Sequence, residues 1–231
     1  MCNRYTLIDP DSAFAEIARI LGVPLNKPQW VTQRYNIGLM QVAPTVVNRG
    51  AGAEVLPMQF GFFAKGNPQM IANARAETVF SKRSFKEAVV SHRCAIPTTG
   101  FIDWETDSAG KKWPHLFTLA HERPYTLAAL WSPGAAEKAI PPSFCIVTTV
   151  PNPLVARIHD RMPVILREEH VARWLDPSPM AEPEFLEIVK SFPAEAMREQ
   201  EVSAYLNNVK HEGPACLDSP KPRASQLGLG F

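Results

Sequence analysis

Proline restricts this chain more than any other residue type. Twenty-two of the 231 residues are proline, and each one fixes φ and removes a backbone N–H donor. Proline is therefore confined largely to turns, to the first turn of helices and to the edges or bulges of sheets. This composition fits short strands joined by frequent turns better than a bundle of helices.

Apolar patterning adds a small number of helices to these strands. Helical spacing predicts helices at 11–22, 84–93, 167–175 and 183–192. We expect Asp11 or Ser12 to cap the first helix, Gly22 to end it, and Ser84 to cap the second. β-like runs occur at 45–48, 54–63, 95–105, 115–119, 125–131, 144–150 and 162–166. Because strands and helices do not alternate regularly, the sequence predicts the α+β class with a largely antiparallel sheet.

The cysteines and the charge limit the classes of protein to which the chain can belong. Four cysteines lie far apart without a C-x-x-C pair, which favours reduced thiols in the cytoplasm over a disulfide scaffold or a zinc knuckle. No long uncharged apolar run and no secretory signal occurs, so we expect no membrane span. A net charge of +1 does not suggest a non-specific nucleic-acid binder, although it leaves room for a local basic groove.

The first residues, MCNR, place a cysteine directly after the initiator methionine. If Met1 is removed, Cys2 carries a free α-amine and a thiol on neighbouring carbons. Such a 1,2-aminothiol condenses with an aldehyde, and its sulfur then closes on the imine to give a thiazolidine ring. The alternative is that Cys2 is a small buried residue of the core.

Three further stretches place polar side chains beside β-like residues: ANARAET at 72–78, GFIDWE at 100–105 and RIHDRMPVIL at 157–166. Asn73 either caps a turn or serves a site. Glu77 either pairs with Arg75 or Arg83 on the surface or serves the same site.

Asp103 and Glu105 are two residues apart, so on a strand both side chains point to one face. That face is either an exposed polar surface or a pair of carboxylates with different pKa values. His159 either fixes a turn or acts as a general acid, with Asp160 orienting its ring.

Taken in order, these motifs resemble those of the SOS-response-associated peptidase (SRAP) family over nearly the whole chain. The stretches that carry the resemblance are MCNR, RYNI, ANARAET followed by SKRSFKEA, RCAIPTTGFIDW, KKWPHLF, LAALW, IVTT, HDRMPVIL and NNVKHEGPACL. The resemblance implies a single α+β domain over 1–231 with a small β-barrel-like core and peripheral helices. The polar segment from about 218 to 231 is then expected to be a frayed tail.

The resemblance also implies a chemistry. The family captures abasic sites in single-stranded DNA as a covalent thiazolidine, in response to DNA damage. Carried over by position, Cys2 is the nucleophile, Asn73 orients the reacting centre, Asp103 is the catalytic carboxylate and His159 is the catalytic histidine. Glu105 is a possible substitute carboxylate.

The same comparison implies a positively charged groove for DNA. Its contacts are expected from Arg4, Asn36, Arg75, Arg83, Trp104 and Arg161. Arginines near Cys2 are also expected to favour its thiolate. We expect single-stranded DNA with abasic sites as the partner, and a monomeric cytoplasmic protein that associates with the nucleoid when it acts. We expect no cofactor and no metal, since the sequence has neither a zinc-ligand cluster nor a P-loop.

Three positions depart from the family pattern. Asn3 stands where the family has glycine, and Asp103 where it has glutamate, which places the carboxylate one methylene closer to the backbone. In the segment 58–68, Phe60 replaces the first of two family tryptophans and the second is missing, so either Phe62 or Phe63 wedges between bases instead or the DNA geometry is altered.

Two other functions remain open. In the first, Cys2 is the nucleophile of a peptidase, with His159 and Asp103 as base and orienting group. In the second, the protein binds single-stranded DNA without a covalent step and Cys2 only packs.

Overall fold

Short strands carry most of the fold, as the proline distribution predicts. A computed structural model describes residues 2–63 and 70–220, and these residues form fourteen strands and four α-helices. The strands are β1 (Arg4–Leu7), β2 (Arg34–Gly38), β3 (Val42–Asn48), β4 (Ala53–Phe60), β5 (Phe62–Phe63), β6 (Met70–Ile71), β7 (Asn73–Arg75), β8 (Arg93–Thr98), β9 (Gly100–Thr106), β10 (Lys112–Leu119), β11 (Tyr125–Ser132), β12 (Ser143–Thr149), β13 (Met162–Pro163) and β14 (Met197–Glu201). The helices are α1 (Pro10–Leu21), α2 (Lys86–Ser91), α3 (Glu168–Leu175) and α4 (Glu182–Ile188).

Two larger sheets organise these strands. The first has the order β14–β10–β9–β1–β2 and is antiparallel throughout. The second has the order β11–β8–β3–β4–β12–β13, with β7 also paired to β12. Because β11 pairs with β12 as well as with β8, the second sheet curls back on itself. Only the pairs that β12 makes with β4 and β7 are parallel among the described strands. The predicted α+β class with a largely antiparallel sheet is confirmed.

Aromatic side chains fill the core. Phe101 of β9 stacks on Phe117 of β10 with ring centroids 4.8 Å apart. In the second sheet, Phe60 stacks on Phe144 at 5.0 Å. All four rings are fully buried, and burial of such large apolar surfaces is the main stabilising contribution to a fold of this kind.

The helices form where apolar periodicity predicts them, but two of the expected caps are wrong. The first helix is capped by Asp9, which accepts a hydrogen bond from the Ser12 amide, and Gly22 ends it in the left-handed conformation. Helix α2 begins two residues after Ser84, and Phe85 occupies its N-cap position without a side-chain hydrogen bond. Two C-terminal helices are present, although the second ends at Ile188 rather than at 192.

Some predictions fall on residues outside the described part of the chain. These residues are Met1, 64–69 of the segment expected to wedge between bases, and 221–231 of the expected frayed tail. Of the two candidate wedge residues, Phe62 is buried and packs against Phe85 with ring centroids 5.7 Å apart. Phe62 is therefore unavailable for insertion between bases, whereas Phe63 is half-buried.

Candidate active site

The register of β1 against β9 brings the N-terminal segment to Asp103. Arg4 is paired with Ile102 in this antiparallel ladder, so Cys2 and Asn3 continue alongside Asp103 and Trp104. Cys2 is fully buried and Asp103 nearly so. The Cys2 Sγ lies 3.7 Å from the Arg4 carbonyl oxygen, and Oδ1 of Asp103 accepts a hydrogen bond of 3.0 Å from the Trp104 amide.

This environment keeps the Cys2 thiol protonated. Burial raises the pKa of the thiol far above its usual range, and the negative charge of Asp103 raises it further. The expectation that nearby arginines favour the thiolate is therefore wrong for this conformation, because burial of the sulfur and the charge of Asp103 raise the pKa of the thiol. Any chemistry at Cys2 has to begin from a neutral thiol.

Asn73 is linked directly to the N-terminal segment. Its Nδ2 donates to Oδ1 of Asn3 at 2.9 Å. Its Oδ1 is buried and has no hydrogen-bond partner within the described residues. Asn73 begins β7 and pairs with Ile146 of β12, so it does not cap a turn. Through its hydrogen bond to Asn3, it contacts the residue that follows Cys2.

Arg4 is held in place by two neighbours. Its guanidinium donates to Oδ1 of Asn36 at 2.9 Å and lies over the Trp104 ring, 5.8 Å from the centroid. Asn36 is fully buried, and its Nδ2 donates to three carbonyls within residues 206–211. Trp104 is fixed in turn by a 2.7 Å hydrogen bond from Nε1 to Oδ1 of Asn207. Asn36 thus fixes the position of the Arg4 guanidinium.

Glu77 pairs with Arg161 rather than with Arg75 or Arg83, which are both exposed. The pair is bidentate, with distances of 2.8 and 2.9 Å, and Arg161 also donates to the Thr148 carbonyl at 2.6 Å. Burial alone would raise the pKa of Glu77, but hydrogen bonds from Arg161 lower it overall. The partners are 84 positions apart in sequence, so local spacing cannot predict this pair.

His159 lies in the turn between the short 3₁₀ helix Val155–Arg157 and β13. Its Nδ1 is 2.8 Å from Oδ1 of Asp160 and 3.0 Å from the Arg161 amide nitrogen. A protonated Nδ1 donates to Asp160, whereas an unprotonated Nδ1 accepts from the Arg161 amide. Nδ1 of His159 therefore has a hydrogen-bond partner in either tautomer.

Sequence reasoning missed one ionisable group beside the site. His115 of β10 is paired with Asp103 of β9 and contacts Glu199 and Glu105. The available signal was a histidine inside an otherwise apolar strand pattern, HLFTL. The sequence does not specify that this strand lies next to the one that carries Asp103.

Metal-binding clusters and membrane-spanning helices are both absent from the described part of the chain. Within residues 2–63 and 70–220, no three His, Cys, Asp or Glu side chains cluster closely enough to bind a metal ion. In that same part of the chain, no helix has the length and apolar character needed to cross a membrane.

Residues 1–209 match the family model described as SOS response associated peptidase (SRAP). The chain belongs to the SRAP family. It is 31% identical over 227 residues to the abasic site processing protein YoqW of Bacillus subtilis, covering 95% of this chain and all of that protein. It is 24% identical to the abasic site processing protein HMCES of Gallus gallus, over 83% of this chain and 69% of that one.

The SRAP fold is also found among solved structures. A protein of Bacteroides thetaiotaomicron superposes with a TM-score of 0.77 at 22% identity, covering 94% of this chain and 99% of that one. The two named relatives are both described as abasic site processing proteins.

Proposed function

We propose that this SRAP protein captures abasic sites in single-stranded DNA by forming a thiazolidine through Cys2 after removal of Met1. The observation that carries this proposal is the position of Cys2, which precedes β1 by two residues, is fully buried and interacts electrostatically with the buried Asp103 of the adjoining strand β9. A carboxylate held beside an amine gives the proximity advantage of an intramolecular reaction.

The steps follow from the groups present. An abasic deoxyribose must open its ring to show an aldehyde, and His159 is the proposed acid that protonates the ring oxygen. Asp103 takes a proton from the Cys2 ammonium, and the neutral amine then adds to the aldehyde and loses water to form an imine. The thiol adds across the imine C=N bond, so that the carbon–sulfur bond closes the ring and the thiol proton ends on nitrogen.

The proposed DNA contacts fall into two classes. Exposed Arg75 and Arg83 are available for phosphates directly, whereas Arg161 would have to exchange or share Glu77.

Arg4 offers its remaining donors to a phosphate while Asn36 fixes its orientation. Trp104, partly buried next to Arg4, offers a stacking surface for a base or sugar. Binding through arginine–phosphate contacts weakens steeply with salt.

The neutral thiol argues against the peptidase alternative. A cysteine peptidase activates its nucleophile as a thiolate paired with a base, whereas burial and Asp103 raise the pKa of Cys2. In the aldehyde reaction the amine attacks first and a protonated thiol is tolerated. In the binding-module alternative Cys2 only packs against its neighbours, so the protein would bind single-stranded DNA without forming a covalent adduct.

The direct test mixes the processed protein with an oligonucleotide that contains one abasic site. We expect a species that survives denaturing electrophoresis, with the mass of protein plus DNA minus water. A preparation that retains Met1 is the matched control, because its Cys2 amine is blocked in a peptide bond. No adduct from protein with a verified free Cys2 amine would contradict the proposal, and peptide hydrolysis by that same protein would favour the peptidase.

Replacing the carboxylate at 103 is expected to slow capture. Asp103→Asn keeps the size and the hydrogen bond to the Trp104 amide but removes the proton acceptor, so we expect a rate about a hundredfold lower, typical for loss of general acid–base catalysis. Asp103→Glu should stay within about tenfold of the original rate, since the carboxylate is kept but displaced.

The measurement is the single-turnover rate of adduct formation at neutral pH. Asp11→Asn is the matched control, because this carboxylate is mostly exposed on α1. An Asp103→Asn rate equal to that of the Asp11→Asn control would remove Asp103 from the mechanism.

A further inference from the structure

His115 lies directly across the strand pair from Asp103. The two residues are register partners in the β9–β10 ladder, so their side chains share one face with Cβ atoms about 4.5–5.5 Å apart. His115 is only 6% exposed, and its Nε2 makes no hydrogen bond within the described residues. A buried ring nitrogen that makes no hydrogen bond is costly, and this one belongs to the register partner of the carboxylate of the proposed site.

Carboxylates on two strands flank the ring. Nδ1 of His115 lies 2.5 Å from Oε1 of Glu199, and Nε2 lies 3.6 Å from Oε2 of Glu105. The charged groups that face His115 or its partners are Asp103 and Glu105 on β9, Glu199 and Glu201 on β14, and Arg157, which is 3.7 Å from Glu199.

Glu199 fixes the direction in which the ring exchanges its proton. A carboxylate at Nδ1 holds the N–H on that nitrogen and leaves Nε2 as the basic atom. Nε2 points toward Glu105, whose side chain is 38% exposed. The imidazole thus has the buried Asp103 as its register partner and, at Nε2, a neighbouring carboxylate in contact with water.

The Cys2 ammonium must lose a proton before its amine can react, and His115 is placed to help accept that proton. An α-amine has an ordinary pKa of about 7.7–8.0 and an aspartic acid one of about 3.9, so the proton moves uphill between them. An imidazole, with an ordinary value of about 6.5, lies between the two. Proton transfer is most efficient when the acceptor is matched to the working pH.

We infer that His115 is a positioning residue that accepts from Asp103 the proton that Asp103 has taken from the Cys2 ammonium. The inference rests on the proposed function. The proton passes from the ammonium to Asp103, from Asp103 to Nε2 of His115, and from there through Glu105 to water, while Glu199 holds the opposite side of the ring. Each transfer breaks one N–H or O–H bond and makes another.

The test compares His115→Gln and Glu199→Gln with the unmodified processed protein, and His121→Gln is the matched control on the exposed turn after β10. Adduct formation with the abasic oligonucleotide is followed from about pH 6 to pH 9. We expect His115→Gln to be about tenfold slower at pH 7 and to converge on the unmodified rate near pH 9, where water deprotonates the amine. Glu199→Gln keeps a hydrogen-bond acceptor for Nδ1–H but removes the negative charge. We expect it to lower the rate at pH 7 as His115→Gln does, but by a smaller factor.

A second reaction without DNA separates the two proposals. Formaldehyde converts a free N-terminal cysteine to a thiazolidine with loss of water, and mass spectrometry reports the gain of one carbon. If no DNA adduct forms but His115→Gln still slows the formaldehyde reaction at pH 7, the proposed function fails and the role of His115 stands. If His115→Gln lowers either rate by the same factor at every pH, or not at all, the role of His115 is overturned. Thermal unfolding of each variant shows whether it is folded at the assay temperature.

Discussion

Cys2→Ser is expected to lose the adduct that survives denaturation while keeping its affinity for single-stranded DNA within about twofold. The serine amine still condenses with the aldehyde, but its hydroxyl does not form a ring as stable as a thiazolidine. The imine then hydrolyses when the complex is denatured. Since Cys2 is fully buried and contacts the Arg4 carbonyl, the smaller hydroxyl occupies the same space and can donate to the same oxygen.

The measurement is denaturing electrophoresis with and without a hydride reductant. A reductant converts an imine to a stable amine, so the Cys2→Ser adduct should reappear when it is present. Without reductant, protein that retains Met1 should give no stable adduct, because its Cys2 amine is held in a peptide bond and cannot form the thiazolidine. Cys216→Ser is the matched control: it is another fully buried cysteine and should leave adduct formation unchanged.

Two outcomes would contradict the prediction. A stable adduct from Cys2→Ser without reductant would assign the covalent bond to a different nucleophile. Loss of both the adduct and DNA binding, in a variant that unfolds at the same temperature as the original, would mean that Cys2 supports the binding surface itself.

The fold was largely predictable because its signals are local. Period-2 and period-3.6 patterns depend on side chains a few residues apart, and they located α1 and the strand that carries Asp103. The caps were less predictable, because Asp9 competes with the nearby Asp11 and Ser12, and α2 has Phe85 at its N-cap position without any side-chain cap. In α1, Pro10 suits the first helical position and makes Asp9 the cap.

The site was predictable only in part, for a physical reason. A motif identifies Cys2 and Asp103 but not what surrounds them, since that depends on strand order and register. His115 comes beside Asp103 through the β9–β10 hairpin register, and Arg161 meets Glu77 across the end of β12. The raised pKa of Cys2 likewise follows from burial, which no pattern of charges along the chain reveals.

Arg93→Met is expected to lower the free energy of unfolding by about 4 kcal/mol, in the range for removing a buried charged group from its partners. Arg93 is 3% exposed and donates to backbone carbonyls around two helix ends. Its Nη1 reaches the carbonyls of Val89 and Val90 in α2 at 3.0 and 2.5 Å. Its Nε reaches the Trp174 carbonyl in α3 at 3.0 Å.

The reason for so large an effect is that one guanidinium caps both helices. The last carbonyls of a helix have no partner within it and carry a partial negative charge. Arg93 also donates to the carbonyls of Asp176 and Ser178 just beyond α3. Methionine fills a similar volume but leaves all five carbonyls without this donor, and each buried unsatisfied acceptor costs about 1–3 kcal/mol before water or relaxation compensates.

Urea unfolding monitored by circular dichroism measures the change in the free energy of unfolding, and two further variants serve as comparisons. Arg93→Lys keeps the charge but offers a single ammonium where five acceptors need a planar fork, so we expect it to recover less than about half of the loss. Arg173→Met on α3 removes a partly exposed arginine paired with Glu184 and should cost under about 1 kcal/mol. If Arg93→Met were no more destabilising than Arg173→Met, the ends of α2 and α3 would have to be satisfied by water, and α2 would then be held in place by its apolar contacts alone.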